Sequence, residues 1–295
     1  MSNNSPGLLQ SVVQDSFTWT LFQGTRKADE CFSQTTATRR IIAGVHYNTG
    51  EHNLRVQLNL PIIPVGQVSL IKFGPETAQA QGTYYYGALT STFIGGYMSC
   101  RVDGDQRIEG VFTSVLHNAL PGFIVGAFNI DTRLGNPGLI EESSGDISGK
   151  HEESLAPASI ECASRRFGVF MIYTNNGGQI HTLDTDADYS ADDHQLVLTA
   201  RFGAGAGPMG GQSESITFRV KGDGARPSGA ITLPSDSASL EYELDNVVAP
   251  GNGCIEDLAH NEDDNGWYGH FRFDAYSNTF QGIFLIFPNA GTTDE

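Results

Sequence analysis

One stretch of this chain is written twice, and that repeat constrains the fold more than any other feature. Residues 266–284, GWYGHFRFDAYSNTFQGIF, alternate Trp267, Gly269, Phe271 and Phe273 with Tyr268, His270, Arg272 and Asp274. A period of two marks a strand with one buried face. Residues 275–278 supply a turn, and residues 279–287 form a second, largely apolar run, so the segment reads as a β-hairpin. Residues 95–112, GGYMSCRVDGDQRIEGVF, repeat it. Gly95, Tyr97, Arg101 and Asp103 correspond to Gly266, Tyr268, Arg272 and Asp274. After a turn one residue longer in the second copy, Gly110 and Phe112 correspond to Gly282 and Phe284. Two copies of one hairpin predict two similar β units.

The rest of the chain supports that reading. Beyond the N-terminal residues 7–13, no segment carries sustained helical periodicity with caps. Short alternating runs recur at residues 16–23, 40–47, 54–63, 67–73, 82–89 and 122–130, and again at 166–173, 195–202, 215–220, 230–233 and 239–244. Residues 27–38, 184–193 and 246–266 read as loops. Residues 64–70, PVGQVSL, resemble residues 227–233, PSGAITL, which extends the repeat weakly. The expected fold is all-β: two tandem, internally duplicated β-barrel or β-sandwich units of short antiparallel strands. The first unit covers residues 1–133 and the second 162–295. Residues 134–161, rich in Gly, Ser and acidic side chains, read as a linker or flap. A single pseudo-symmetric barrel built from both halves fits the same pattern.

Charge narrows the partners. The 295 residues hold 34 acidic and 17 basic side chains, a formal charge of −17. Such a surface repels phosphate backbones, so nucleic acid is not an expected partner. No run approaches the ~20 apolar residues of a membrane-spanning helix, and no membrane partner is expected. The opening residues, MSNNSPGLLQSVVQDS, carry neither a basic leader nor a long apolar core. Cys31, Cys100, Cys162 and Cys254 form no C-x-x-C pair or zinc spacing, and all four are expected to be reduced. Together these features predict a cytoplasmic protein.

Chemistry-bearing motifs are sparse. Asp184, Asp186, Asp188 and Asp192 fall at positions 1, 3, 5 and 9 of a calcium-loop spacing, with Ser190 at 7. Tyr189 occupies the position that needs glycine, and Gln195 replaces the bidentate glutamate, so no tight calcium site is expected. Residues 203–207, GAGAG, lack the Lys-Ser/Thr of a phosphate loop. Residues 261–266, NEDDNG, are rich in oxygen without metal spacing. No H-E-x-x-H or G-x-S-x-G is present.

The repeated hairpin carries the remaining candidates. Tyr97, Ser99, Arg101 and Asp103 share one strand face; Tyr268, His270, Arg272 and Asp274 share its counterpart. The face is either the lining of a pocket or a solvated strand face with an Arg–Asp pair. The leading functional reading is a small, mostly apolar ligand in an aromatic-lined cavity, with Tyr97, Trp267, Tyr84 and Tyr86 as ligand-binding residues. A cofactor-independent cyclase or isomerase is its catalytic extension, with His270, Tyr268, Arg272 and Arg101 polarising a folded substrate. That reading places Trp267, Phe271 and Phe273 in the core and Tyr268, His270 and Arg272 at the cavity. No metal or cofactor is expected, and homo-oligomerisation is left open. Two alternatives stand beside it: a structural assembly subunit, such as a duplicated β-sandwich shell or tube protein, and a carbohydrate-binding module.

Overall fold

A computed structural model describes residues 15–21, 24–48, 53–74, 76, 79–104, 106–118, 122–133, 168–174, 180–262 and 265–288. The proposed linker, the N-terminal stretch 7–13, Cys162 and the turn at 175–178 lie outside them. The described chain is all-β and antiparallel.

The first half supplies β1 (Ser16–Leu21), β2 (Gly24–Lys27), β3 (Glu30–Thr35), β4 (Arg39–His46), β5 (Leu54–Pro61), β6 (Val68–Lys72), β7 (Gln81–Tyr86), β8 (Leu89–Val102), β9 (Arg107–Asn118) and β10 (Gly122–Asp131). They form one sheet in the order β2-β1-β10-β9-β8-β7-β5-β4-β3, with β6 also paired to β8. The sheet curls until its ends meet. Asp29 N, just after β2, donates to Val45 O of β4 at 2.8 Å, and Ser33 Oγ of β3 donates to Asp131 O of β10 at 3.3 Å. Inside this half-barrel lie Phe17, Trp19, Phe73, Phe93, Phe112 and Phe128. Strand β5 shows why the sequence folds this way: Leu54, Val56, Leu58 and Leu60 alternate into that core. Burying each is worth about 1.5–3 kcal/mol.

Strand β8, 14 residues long, pairs with β7 through residues 89–92 and with β6 through residues 97–101, and it is kinked between the two stretches. Its register with β9 shifts between Ile94 and Gly96, where Gly95 and Gly96 both have positive φ. A Cβ on Gly96 would stand 2.1 Å from Thr113 O, so the bulge requires glycine.

The second half supplies β11 (Val169–Thr174), β12 (Ile180–Thr182), β13 (Asp184–Ser190), β14 (Gln195–Phe202), β15 (Glu214–Lys221), β16 (Gly229–Leu233), β17 (Ala238–Leu244), β18 (Val247–Pro250), β19 (Asn252–Asn261), β20 (Gly266–Ala275) and β21 (Asn278–Ile286). A six-stranded sheet, β12-β11-β21-β20-β19-β16, faces a five-stranded one, β13-β14-β15-β17-β18. Their shared core holds Trp267, Phe271, Phe273, Phe170, Phe218 and Tyr242, with the Phe170 and Phe271 rings stacked at 4.8 Å. Trp267, Phe271 and Phe273 therefore lie in the core, as period two requires.

Three segments read as loops are strands, and each departure has a cause. Strand β19 carries a bulge between Glu256 and Ala259, with Asp257 at φ 54, which breaks the alternation. Strand β13 alternates Asp184, Asp186 and Asp188 outward with Thr185 and Ala187 inward. The spacing that imitates a calcium loop is a strand's period of two. Strand β3 is a sheet edge that buries only Phe32 and Ser33, too few to show a pattern.

The two repeated hairpins, β8–β9 and β20–β21, pair in the same register. Cys100 faces Gly110 as Phe271 faces Gly282, and Met98 faces Phe112 as Gly269 faces Phe284. Their neighbours are connected differently. Strand β10 follows β9 in the chain, whereas β11, its spatial counterpart beside β21, precedes the hairpin. Strand β6 (residues 68–72) borders the first hairpin directly, but β16 (residues 229–233) is one strand removed from the second. The weak likeness of these two segments does not translate into equivalent places.

Candidate functional site

The polar faces of the two hairpins turn toward each other. Between the halves lies an apolar cluster of Val111, Ala127, Val169, Met171, Ile283 and Leu285, flanked by half-buried Tyr97 and Tyr268. The outer surface of the half-barrel wall thus packs on the outer surface of the six-stranded sheet. Neither a solvated face nor a cavity describes this arrangement.

A buried charge network sits in that interface. His270, 4% exposed, approaches Glu109 Oε1 through Nε2 at 2.8 Å and Glu256 Oε2 through Nδ1 at 3.3 Å. Arg101 Nη1 lies 2.7 Å from Glu256 Oε2 and 2.9 Å from His270 Nδ1. Tyr173 donates its hydroxyl to Glu109 Oε2 at 2.6 Å. Glu109 and Arg101 come from the first half of the chain; Tyr173, Glu256 and His270 come from the second. Each half therefore neutralises charge in the other.

The protonation states follow from this geometry. Burial by itself lowers the pKa of His270, but the Glu109 charge and the hydrogen bonds to Glu109 and Glu256 outweigh it and raise the value to about 9. The Arg101 contact opposes that rise. Two carboxylates against Arg101 alone leave one negative charge, which a protonated imidazole cancels; that balance favours imidazolium. Burial raises the Glu109 pKa, yet the His270 charge and hydrogen bond, with Tyr173 and Arg101, hold it below its ordinary value. The hydrogen bond from His270 and the Arg101 charge hold Glu256 at about 2 against its own desolvation. Burial first, then the Glu109 charge, push Tyr173 well above the usual phenol range. The network is a charge-neutral weld. Among the described residues, Ser99 Oγ, Thr113 Oγ1 and Arg101 Nε nearby have no hydrogen-bond partner.

A second polar contact joins the two halves of the chain elsewhere along the interface. His181 of β12 meets Thr18 Oγ1 through Nδ1 at 2.9 Å and Thr20 Oγ1 through Nε2 at 3.2 Å. Burial lowers its pKa to about 4, so this imidazole is neutral.

The candidate residues do not converge on one site. Arg101, His270 and Tyr268 meet at the interface, whereas Arg272 is exposed. Tyr84 lies in the half-barrel core with Tyr86 packed against it, Tyr97 borders the interface, and Trp267 belongs to the sandwich core. The repeated aspartates close their hairpins: Asp103 Oδ1 accepts from Arg107 N at 2.8 Å, and Asp274 Oδ1 accepts from Thr279 Oγ1 at 2.6 Å. Neither is the partner of the neighbouring arginine. Sequence reasoning missed Glu109, Glu256, Tyr173 and His181. Glu109 was within reach, because the hairpin register places it opposite Arg101. Glu256 was hidden in the bulged strand.

The glycine-rich loop has an internal role. Glu214, 2% exposed, accepts from Met209 N at 3.0 Å, from Gly211 N at 3.3 Å and from the Tyr242 hydroxyl. A Cβ on Gly207 would stand 2.0 Å from Glu214 Oε2. The loop cradles a carboxylate of its own chain.

Among the described residues, no helix is long and apolar enough to cross a membrane, and Cys31, Cys100 and Cys254 are free thiols. Compared with protein-family models, curated proteins and solved structures, the chain matches none.

Proposed function

We propose that this chain is a structural assembly subunit, two β units welded back to back that act through their outer surfaces. One observation carries the reading: the single face where the sequence concentrates ionisable and aromatic side chains is covered by the other half of the same chain. Arg101, Glu109, Glu256 and His270 are engaged with one another. A small-molecule cavity or a cyclase site on that face needs the space that the partner unit fills. A carbohydrate-binding module needs exposed ring faces, but Trp267 and Tyr84 are buried.

Assembly needs a surface, and strand β18 offers one. It is an edge strand, and Val247 and Val248 on it are 60% and 56% exposed. An exposed apolar edge strand is suited to pairing with a second copy of the chain. The opposite edge of that sheet, β13, presents Asp184, Asp186 and Asp188 and discourages pairing there. Light scattering coupled to size exclusion tests the reading. The expected result is an oligomer that dissociates in Val247→Lys/Val248→Lys; a parent chain that is monomeric at all concentrations refutes it.

A further inference from the structure

We propose that two copies of this chain pair antiparallel through β18, about a two-fold axis at Val248, so that their five-stranded sheets run on as one. The inference rests on the assembly reading and specifies its geometry.

The phase of the β17–β18 ladder decides which backbone groups face the free edge. Asp245 and Asn246, at φ 51 and 66, form the two-residue turn between the strands. Gly251 N donates to Leu240 O at 2.9 Å, which makes Leu240 and Gly251 a bonded pair. In an antiparallel ladder, bonded pairs alternate with pairs that exchange no bond. Tyr242–Ala249 and Leu244–Val247 are therefore bonded, while Glu243–Val248 and Glu241–Pro250 are not. The N–H and C=O of Val248 point away from β17, toward the edge. Pro250 turns its C=O the same way but has no N–H. Within β18, Val248 alone offers both a donor and an acceptor to the edge. One residue with both groups is self-complementary: across a two-fold axis, each Val248 N–H meets the C=O of Val248 in the second copy. A foreign extended strand would find no second donor in β18, because Pro250 supplies none.

The side chains fit the same register. Val248 shares the outer face of the sheet with Glu243, and in the pair it packs on Val248 of the second copy. Val247 and Ala249 lie on the other face, where each valine comes opposite the small alanine of the second copy. Val247 and Val248 are exposed and free to make these contacts. The strand is also held in place, since the Tyr276 hydroxyl donates to Val247 O at 2.6 Å. Head-to-tail pairing of β18 with β13 would instead build an open filament. It would bring Asp184, Asp186 and Asp188 toward Glu241 and Glu243 on one face of the sheet, a like-charge arrangement. The closed pair avoids it. Each copy carries a formal charge of −17, so long-range repulsion opposes the pair and salt should strengthen it.

Light scattering over a dilution series, at low and high salt, should find a dimer that dissociates on dilution and tightens with salt. Val248→Pro removes the outward N–H without touching a bond to β17. It should weaken dimerisation roughly a hundredfold and leave the thermal melt of the monomer little changed. Val248→Cys should cross-link into a dimer on mild oxidation, because bonded partners stand about 5.5 Å apart at Cα, within disulfide reach. Ala249→Cys, displaced along the strand from its own counterpart, should cross-link no more than the parent. An oligomer larger than a dimer, an undiminished dimer in Val248→Pro, or cross-linking through Ala249→Cys in place of Val248→Cys overturns the two-fold pairing. If such an oligomer still dissociates in Val247→Lys/Val248→Lys, assembly through β18 stands and its proposed geometry falls. A parent chain that is monomeric at all concentrations overturns both readings and leaves the edge to a different chain.

Discussion

Replacing His270 with alanine tests whether the buried network welds the units. The substitution leaves Glu109 buried without its principal cation, and breaking a buried pair from one side costs about 3–5 kcal/mol. The pH dependence separates this charge effect from simple loss of packing. The folded pKa of His270, about 9, stands above the ordinary 6.5. A raised pKa means that the folded state binds the proton more tightly than the unfolded state. The stabilisation is therefore fully present below pH 6.5 and is lost as pH rises through about 9. The shift is worth about 3 kcal/mol, or roughly 6–12 °C in Tm for a chain of this size. The parent protein should lose that increment between about pH 6 and 9.5, whereas His270→Ala, already destabilised, should lose none of it across the same window, so that the two curves converge. Thermal and urea melts at both pH values measure it. Parallel parent and variant curves would refute the charged state assigned to His270. A variant within 0.5 kcal/mol of the parent would refute the weld itself.

Other outcomes follow from the same geometry. Gly207→Ala, whose methyl would meet the Glu214 carboxylate, should cost about 2–4 kcal/mol in a urea melt; a neutral result would show that the loop does not need its cradle. Arg272→Ala should leave stability within about 0.5 kcal/mol, while Arg101→Ala should lose about 3–5 kcal/mol; equal effects would contradict their opposite exposures. Calorimetry should find no micromolar calcium binding at β13, and binding abolished by Asp186→Ala would overturn the reading of that segment as an edge strand.

Much of the fold was legible because alternation survives wherever one face is buried. The repeated hairpins, β5 and β14 all show it, and the core positions of Trp267, Phe271 and Phe273 followed directly. Alternation failed where a second influence acted. The bulge at Asp257 scrambled β19, and the outward aspartates of β13 imitated a metal loop. The candidate site was only half legible. Period two separated His270 and Arg101 from the core, but it cannot say what covers the face they share. That depends on two sheets meeting across more than 160 residues of chain, as His270 and Arg101 do. Short-range pattern carries no trace of such a contact except through complementary charge, and Glu109 was the one complement that the hairpin register exposed.

The two similar hairpins differ in charge in step with their exposure, and this gives a final test. Arg101 faces Glu109 across its hairpin, while Arg272 faces Gln281. The hairpin whose arginine is half-buried has the carboxylate, and the hairpin that turns its arginine to water has the neutral amide. If Glu109 is there to balance the interface, Glu109→Gln should convert a neutral cluster into one with two cations against Glu256. Arg101 does not release its proton, so His270 must. Its pKa, deprived of the largest influence raising it and still buried, should fall below the ordinary imidazole value. The pH dependence then reverses sign: a depressed histidine pKa means that stability is lost as pH falls, rather than as it rises. Titration of the His270 ring by NMR in parent and variant decides the matter. A His270 that still titrates near pH 9 in Glu109→Gln would mean that Glu256 alone sets its charge, and that the divergence between Glu109 and Gln281 has no electrostatic role in the interface.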